Sequence, residues 1–445
     1  MNYIKKILLL VTVVFTALQV TAQSGSNTPF SQYGIGLGSQ PYNMPLTARL
    51  GGVAITRAGN NFVNPFNPAS YASVQPQSFV FDMAFSVQTA SLSDASARLT
   101  DFSTQLAYIA FAMPVTKWWK IGGGIMPYSN TDYESVSSDV DPVGGPVKTR
   151  YYGSGSVSEA FIGSAFNIIG GDNPDSLSLQ AGFNIKLLTG SQQRAISYEQ
   201  LDAATTYKMS SRKIKDTRVR NLEADAGVQL RLPLGGNRVL GAGLTFAPGI
   251  KQNIDEEAVI YTYFSESSTL GDTVFPLRGQ SGQFVSTIEI PTTVGLGLSL
   301  ESGRWLLAAD AVTAPWSGVK YTEGAPLSIF GQNSLRYAAY GRYALAAELK
   351  GDRNAANYLS RISWSAGVHY EHGKIAMTTA SADLSLDEWG CGFGATLPMR
   401  KGRSLLTISV AYSHLGSTNV LLQESLTFGI ALSSCETWFV KRKYN

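Results

Sequence analysis

Charge is scarce in this 445-residue chain: Asp, Glu, Lys and Arg together make up 15% of it, where ordinary soluble proteins carry about 25%. The net charge of +3 is small, and no basic stripe alternates with stacking aromatics, which excludes nucleic acid as a partner. Cysteine occurs only at Cys391 and Cys435, too few for a disulfide scaffold. The two can form one bridge or stand as small apolar residues. Histidine is limited to His369, His372 and His414. A hydrolase needs its base within hydrogen-bond reach of the nucleophile. His369 shares a strand face with Ser365, but four residues along a strand is too far for direct contact. His369, Glu371 and His372 do not converge on a metal either, because adjacent strand residues point to opposite faces. No enzymatic activity, metal or cofactor is expected. After Val20 no apolar run is long enough for a membrane-spanning helix.

What is present begins with an export signal. Lys5 and Lys6 precede a largely apolar stretch from Ile7 to Val20, and Val20-Thr21-Ala22 is a small-residue cleavage site before Gln23. Residues 1–22 therefore read as a cleaved signal peptide, and no Cys follows to carry a lipid anchor. Glycine is abundant at 44 residues, as are Tyr at 21 and Phe at 20. The dominant pattern is an alternation of period two. Phe79, Phe81, Met83, Phe85 and Val87 interleave with Asp82, Ala84, Ser86 and Gln88. Val294, Leu296, Leu298 and Leu300 interleave with Gly295, Gly297, Ser299 and Glu301. The same rule runs through 177–187, 222–232, 362–370, 389–397, 406–412 and 426–432. Such strands have one apolar and one polar or small face, as in a barrel with lipid outside and a wet lumen. A lipid-embedded sheet must close, since open edges would leave backbone groups unpaired.

The expected fold is all-β: an antiparallel transmembrane β-barrel of about 14 strands over residues 78–445, an even number as single-chain bacterial barrels require. Short turns are expected at Pro114 to Lys117, Gly170 to Pro174, Pro233 to Asn237, Glu301 to Arg304, Lys350 to Asn357 and Pro398 to Arg403. Ser137 to Lys148, Lys251 to Gly282 and Ser317 to Gln332 are read as the longer loops of the opposite, extracellular end. Trp118, Trp119 and Trp305 fall at the periplasmic rim, where amphipathic rings are favoured. Strand parity assigns Asp82, Lys186, Glu223, Asp225, Arg231, Arg304, Asp310 and Glu348 to the lumen, as ion pairs or contacts to a plug.

Between signal and first strand, residues 23–77 are rich in Gly, Asn and Pro and lack alternation. A stretch this long needs a reason. Its apolar residues, among them Phe30, Leu46, Leu50, Val53, Ile55 and Phe66, argue against a disordered tail. Within it, Arg49-Leu50-Gly51-Gly52-Val53-Ala54, then Ala58-Gly59-Asn60, lead to Asn67-Pro68-Ala69-Ser70-Tyr71. Farther on come Ile290-Pro291-Thr292-Thr293-Val294-Gly295 with Trp305, Asp310 and Trp316, and Trp118-Trp119-Lys120-Ile121-Gly122-Gly123-Gly124-Ile125-Met126-Pro127. Together these segments resemble the FadL/TodX family of outer-membrane transporters of long-chain fatty acids and hydrocarbons. The stretches from Asn357-Tyr358-Leu359 to Thr437-Trp438 resemble a Bacteroidota branch of it.

The resemblance implies an N-terminal hatch folded into the lumen, carrying the motif residues Gly51, Gly52, Asn67, Pro68 and Ala69. It also implies a lateral gate at a kink in the third strand, around Gly122, Gly123, Gly124 and Pro127, where glycines and a donor-less proline favour a bulge or gap. The alternative is that these glycines relieve crowding under the hatch. A carboxylate ligand would need a cation, and Arg231 and Lys186 are the candidates. The implied function is passive transport of a hydrophobic small molecule in the outer membrane of a Gram-negative, Bacteroidota-like bacterium. The implied partners are outer-membrane lipid and that ligand. The alternative is a non-transport barrel that partners other outer-membrane or periplasmic proteins in a secretion or assembly complex.

Overall fold

Residues that alternate in the sequence alternate in exposure. Along Thr293–Ser302, Gly295, Gly297 and Ser299 are buried on the inside, while Leu296 and Leu298 are 59% and 60% exposed on the outside. Large apolar residues exposed in such rows are the signature of a lipid-facing wall. The computed structural model describes residues 28–32, 36–38, 41–93, 98–140, 146–170, 176–200, 209–264, 282–319, 321–322, 335–373, 375–378, 383–399, 403–417 and 421–438. The expected signal peptide and the basic end Lys441-Arg442-Lys443 lie outside the described residues. Among the described residues no helix is long and apolar enough to cross a membrane.

Fourteen strands close into one antiparallel barrel. They are β1 (Ser78–Ser93), β2 (Arg98–Pro114), β3 (Trp119–Asn130, continued as Tyr133–Val140), β4 (Pro146–Ile169), β5 (Ser178–Gln200), β6 (Met209–Gly235) and β7 (Arg238–Ala247, continued as Ile250–Phe264). There follow β8 (Gly282–Ile290, continued as Thr293–Ser302), β9 (Trp305–Ala314), β10 (Tyr340–Leu349), β11 (Ser363–His372), β12 (Glu388–Met399), β13 (Ser404–Ser417) and β14 (Leu421–Thr437). Closure comes from β1 pairing with β14, from Ser78↔Thr437 to Ser93↔Leu422.

One end of the barrel has tight turns made by backbone that glycine and asparagine tolerate: Gly235, Gly236 and Asn237 have φ of 78°, 59° and 61°. Trp118 and Trp305 stand exposed at this end. The other end is uneven. Strands β9, β10 and β11 have 10 residues each, about what a bilayer crossing requires. Strands β4, β5 and β6 have 24, 23 and 27 residues and rise well past it.

The expectation of a long loop from Lys251 to Gly282 is corrected here. Residues up to Phe264 continue β7, paired with β6 from Ile254↔Val219 to Phe264↔Met209. The alternation is present, with Gln252, Ile254, Glu256 and Ala258 inward and Lys251, Asn253 and Asp255 outward. Here the outward face is polar and the inward face mixes Gln252 and Glu256 with Ile254 and Ala258, so hydrophobicity did not reveal it. Likewise β3 runs to Val140 and β4 starts at Pro146, which shortens the loop expected from Ser137. The strand β7 breaks after Ala247 and β8 after Ile290, and the breaks are tied by Gly249 N donating to Thr292 Oγ1 at 3.0 Å.

Candidate functional site

The lumen is filled by the N-terminal segment, which the wall holds through buried polar anchors. Asp310 Oδ2 on β9 accepts from Ala54 N and Ile55 N at 2.6 and 2.9 Å, and Asp82 Oδ2 on β1 accepts from Val63 N at 2.5 Å. Gln229 Nε2 on β6 donates to Ile55 O at 2.7 Å. Glu348 on β10 binds two guanidiniums of the segment, Arg49 at 3.4 Å and Arg57 at 2.9 Å. Burial pushes the Arg49 guanidinium below its ordinary pKa, and Glu348 opposes that shift. Buried charges need such pairing.

The motif residues make local structure for physical reasons. The Asn67 Oδ1 accepts from Ala69 N at 3.1 Å and its Nδ2 donates to Ile55 O at 2.8 Å. It caps the helical turn Pro68–Ser73, and Pro68 takes the first position, where its missing N–H is no loss. Gly51 has φ of 58° and lies against the β11 backbone: a Cβ would come within 2.5 Å of Val368 N. Gly52 O accepts from Arg342 Nη1 at 3.2 Å. The wall is glycine-rich where this segment touches it. A Cβ on Gly182 would be 2.6 Å from the Pro68 carbonyl carbon.

Gly122, Gly123 and Gly124 lie in closed wall, each paired with both β2 and β4. A Cβ on Gly122 would meet the Tyr71 ring at 3.0 Å. The discontinuity sits just above them. Pairing of β2 with β3 runs only from Pro114↔Lys120 to Ile109↔Ile125. Against β4, the register of β3 shifts between Pro127 and Ser129, which makes Tyr128 an extra residue. The facing edges, β2 from Arg98 to Tyr108 and β3 beyond Met126, have no mutual pairing. The segment Leu37–Gly38 adds to the β3 edge at Asn130 and Ser129, and Thr28 N donates to Asp132 O at 2.8 Å.

Inside this edge and above the hatch is a cavity of about 380 Å³. Met126, Pro127, Tyr128 and Ser129 line it on the β3 side, with Tyr42, Met44 and Phe66 below. Ile288, Ile290, Val312 and Trp316 add apolar surface, and Lys186, Glu223, Tyr340, Arg342, Glu371 and Glu388 add polar groups. Burial, then the Glu371 and Glu388 charges, push the Tyr42 hydroxyl well above the ordinary phenol pKa, so it stays a donor.

The two cations considered for a carboxylate ligand are not brought together. Lys186 Nζ lies between Glu159 Oε1 at 3.0 Å and Asp225 Oδ2 at 2.7 Å in the upper cavity. Arg231 lies below the hatch, 3.6 Å from Glu301, in a separate polar cavity of about 470 Å³. Arg304, assigned to the lumen by parity, is in the exposed turn after β8, because alternation ends where the strand does. Cys391 and Cys435 are both free thiols, one on the outer face and one buried. Sequence reasoning missed Tyr42, Tyr340, Glu371 and Glu388. Parity against Tyr370 and Trp389 would have turned both glutamates inward, whereas Tyr42 sits in a segment with no periodicity to read.

The chain matches the family model described as BamG over residues 3–445. No curated protein matches it. Among solved structures it is similar to the Pseudomonas putida toluene transporter TodX, with a TM-score of 0.51 at 14% identity, covering 90% of this chain and 100% of that one. A Pseudomonas aeruginosa FadL homologue is similar at TM-score 0.52 and 13% identity, covering 94% and 99%. At these identities the likeness is one of fold.

Proposed function

This chain belongs to the BamG family, and on that premise we propose that it is an outer-membrane barrel that passes a hydrophobic small molecule from the cavity above its hatch sideways into the bilayer. One observation carries the reading: the cavity is lined by Met126 to Ser129, the stretch where β3 parts from β2. A mostly apolar cavity with a few placed polar groups is what a ligand site requires. Its connection to a β3 edge that has parted from β2 supplies a path that avoids the plugged lumen. The gate then begins at Pro127, with Gly122 to Gly124 as the close-packed wall beneath it. The glycine and Asn-Pro-Ala residues serve as the seat of the hatch. Residues 1–22 act as the export signal. The test is uptake of a neutral hydrophobic probe such as toluene or decanol by vesicles containing the purified barrel. Uptake no faster than by empty vesicles overturns the proposal.

BamG membership favours a second reading, that the barrel is a non-transport partner in an outer-membrane secretion or assembly complex. Native membranes decide between them. A stoichiometric protein partner without co-purifying lipid-like ligand supports the second reading; a bound lipid-like molecule supports the first.

A further inference from the structure

The cavity below the hatch, of about 470 Å³, shares no lining residue with the one above it. Its volume falls within the range of small-molecule sites, roughly 300–1,000 Å³. Hatch and wall both contribute: Asn60 and Gln75 line it from the hatch, Gln229 and Ser299 from the strands. Its charges are uneven. Among the described residues, Arg231, Lys350 and Arg353 line it against the single carboxylate of Glu301.

These cations are only partly satisfied by the protein. Glu301 Oε2 takes Lys350 Nζ at 2.7 Å and leaves Arg231 Nη2 at 3.6 Å, beyond hydrogen-bond reach. Arg231 Nε is buried without an acceptor, and a buried polar atom of this kind calls for a ligand or water to complete it. Arg353 is exposed and has no ion pair among the described residues. Neighbouring carboxylates are engaged elsewhere. Glu348, two positions before Lys350, holds Arg49 and Arg57, and Asp352 accepts from Asn354 N at 2.9 Å within its own turn.

We propose that this lower cavity binds a small, doubly charged oxyanion that enters from the end with the tight turns. Two negative charges balance the excess of three cations over one carboxylate. A guanidinium presents five donors in a planar fork and accepts nothing, a shape that matches the oxygens of a carboxylate or a phosphate. Charge-assisted hydrogen bonds of this kind are roughly twice as strong as neutral ones. The Asn60 and Gln75 side-chain amides add donors from the hatch side of the same cavity. A hydrophobic molecule has no matching surface among these groups, so the two sides of the hatch offer sites of different chemistry.

The site stands independently of the transport reading. It is tested by calorimetric titration of the full-length barrel in a neutral detergent at low ionic strength. The probes are glutarate, glycerol phosphate, the uncharged diamide of glutarate, and the diamine cadaverine. At least one of the two oxyanions is expected to bind about tenfold or more tighter than the diamide and the diamine, and the tighter of the two tells carboxylate from phosphate. Added salt should weaken this binding, because the Arg231 and Lys350 side chains are 43% and 36% exposed. Replacing both arginines, Arg231→Gln with Arg353→Gln, should abolish the preference, whereas Arg218→Leu, on the outer face of β6, should leave it unchanged. Oxyanions binding no tighter than the diamide overturn the proposal, as does a preference that survives the double substitution. An equal loss in Arg218→Leu overturns it too, since that would mark attraction to the protein's overall charge. The rank order on the unsubstituted protein decides even if a variant fails to assemble.

Discussion

Glu348 holds two guanidiniums from the hatch, Arg49 and Arg57, and its side chain is 6% exposed. Removing one partner of a buried ion pair leaves uncompensated charge, at a cost of about 3–5 kcal/mol. Glu348→Gln is therefore expected to loosen the hatch and leave the barrel standing. Limited proteolysis near Arg57 should accelerate at least tenfold, with the heat-modifiable gel shift of the closed barrel unchanged. The opposite design is made at Gly182, where any side chain would press on the Pro68 carbonyl carbon. Gly182→Val should expose the hatch to protease in the same assay. Protection equal to that of the unsubstituted protein would show that the hatch is not seated through this contact. Parity along the strands made Asp82, Asp310 and Glu348 legible as inward charges. It did not say what they bind, because their partners are backbone amides and arginines from a segment without periodicity.

At the scale of the element, β3 is where the ladder of the wall is interrupted. The extra residue at Tyr128 and the donor-less Pro127 direct the strand away from β2. Deleting Tyr128 removes the bulge and keeps the pairing of Pro127 and Ser129 with Ser158 and Val157 on β4. This variant should assemble and lose most uptake of a neutral hydrophobic probe, about tenfold or more if the gap is the route. Unchanged uptake would place the exit elsewhere. The Gly-Gly-Gly-Ile-Met-Pro run lies in the strand whose ladder to β2 is interrupted, and its glycines stand in the paired part of it. The location of the interruption depends on where β2 stops pairing, which is a relation between two strands and is not written in either. The rising part of β7 was hidden for another reason: its outward face is polar and its inward face mixes polar and apolar residues, so hydrophobic alternation fades.

For the whole molecule, closure by β1 and β14 removes the free edges that lipid would not tolerate. The apolar outer rows are then the molecule's main debt to the bilayer. Leu298 is 60% exposed near the middle of the short span of β8. Leu298→Arg should cost about 2–4 kcal/mol, measured by urea unfolding in lipid vesicles. Arg218→Leu, on the risen part of β6, should change stability little; equal effects at both sites would contradict this placement of the bilayer. Period-two alternation, the scarcity of charge and the spacing of the short turns determined the barrel and its fourteen strands, because facing lipid or lumen is a property of each residue in its own strand. The hatch anchors, the gap above Gly124 and the meeting of Tyr42, Glu371 and Glu388 were decided only by the tertiary structure. Ala54 and Asp310, or Tyr42 and the two glutamates, lie hundreds of positions apart, and only closure of the barrel around the hatch brings them within hydrogen-bond distance.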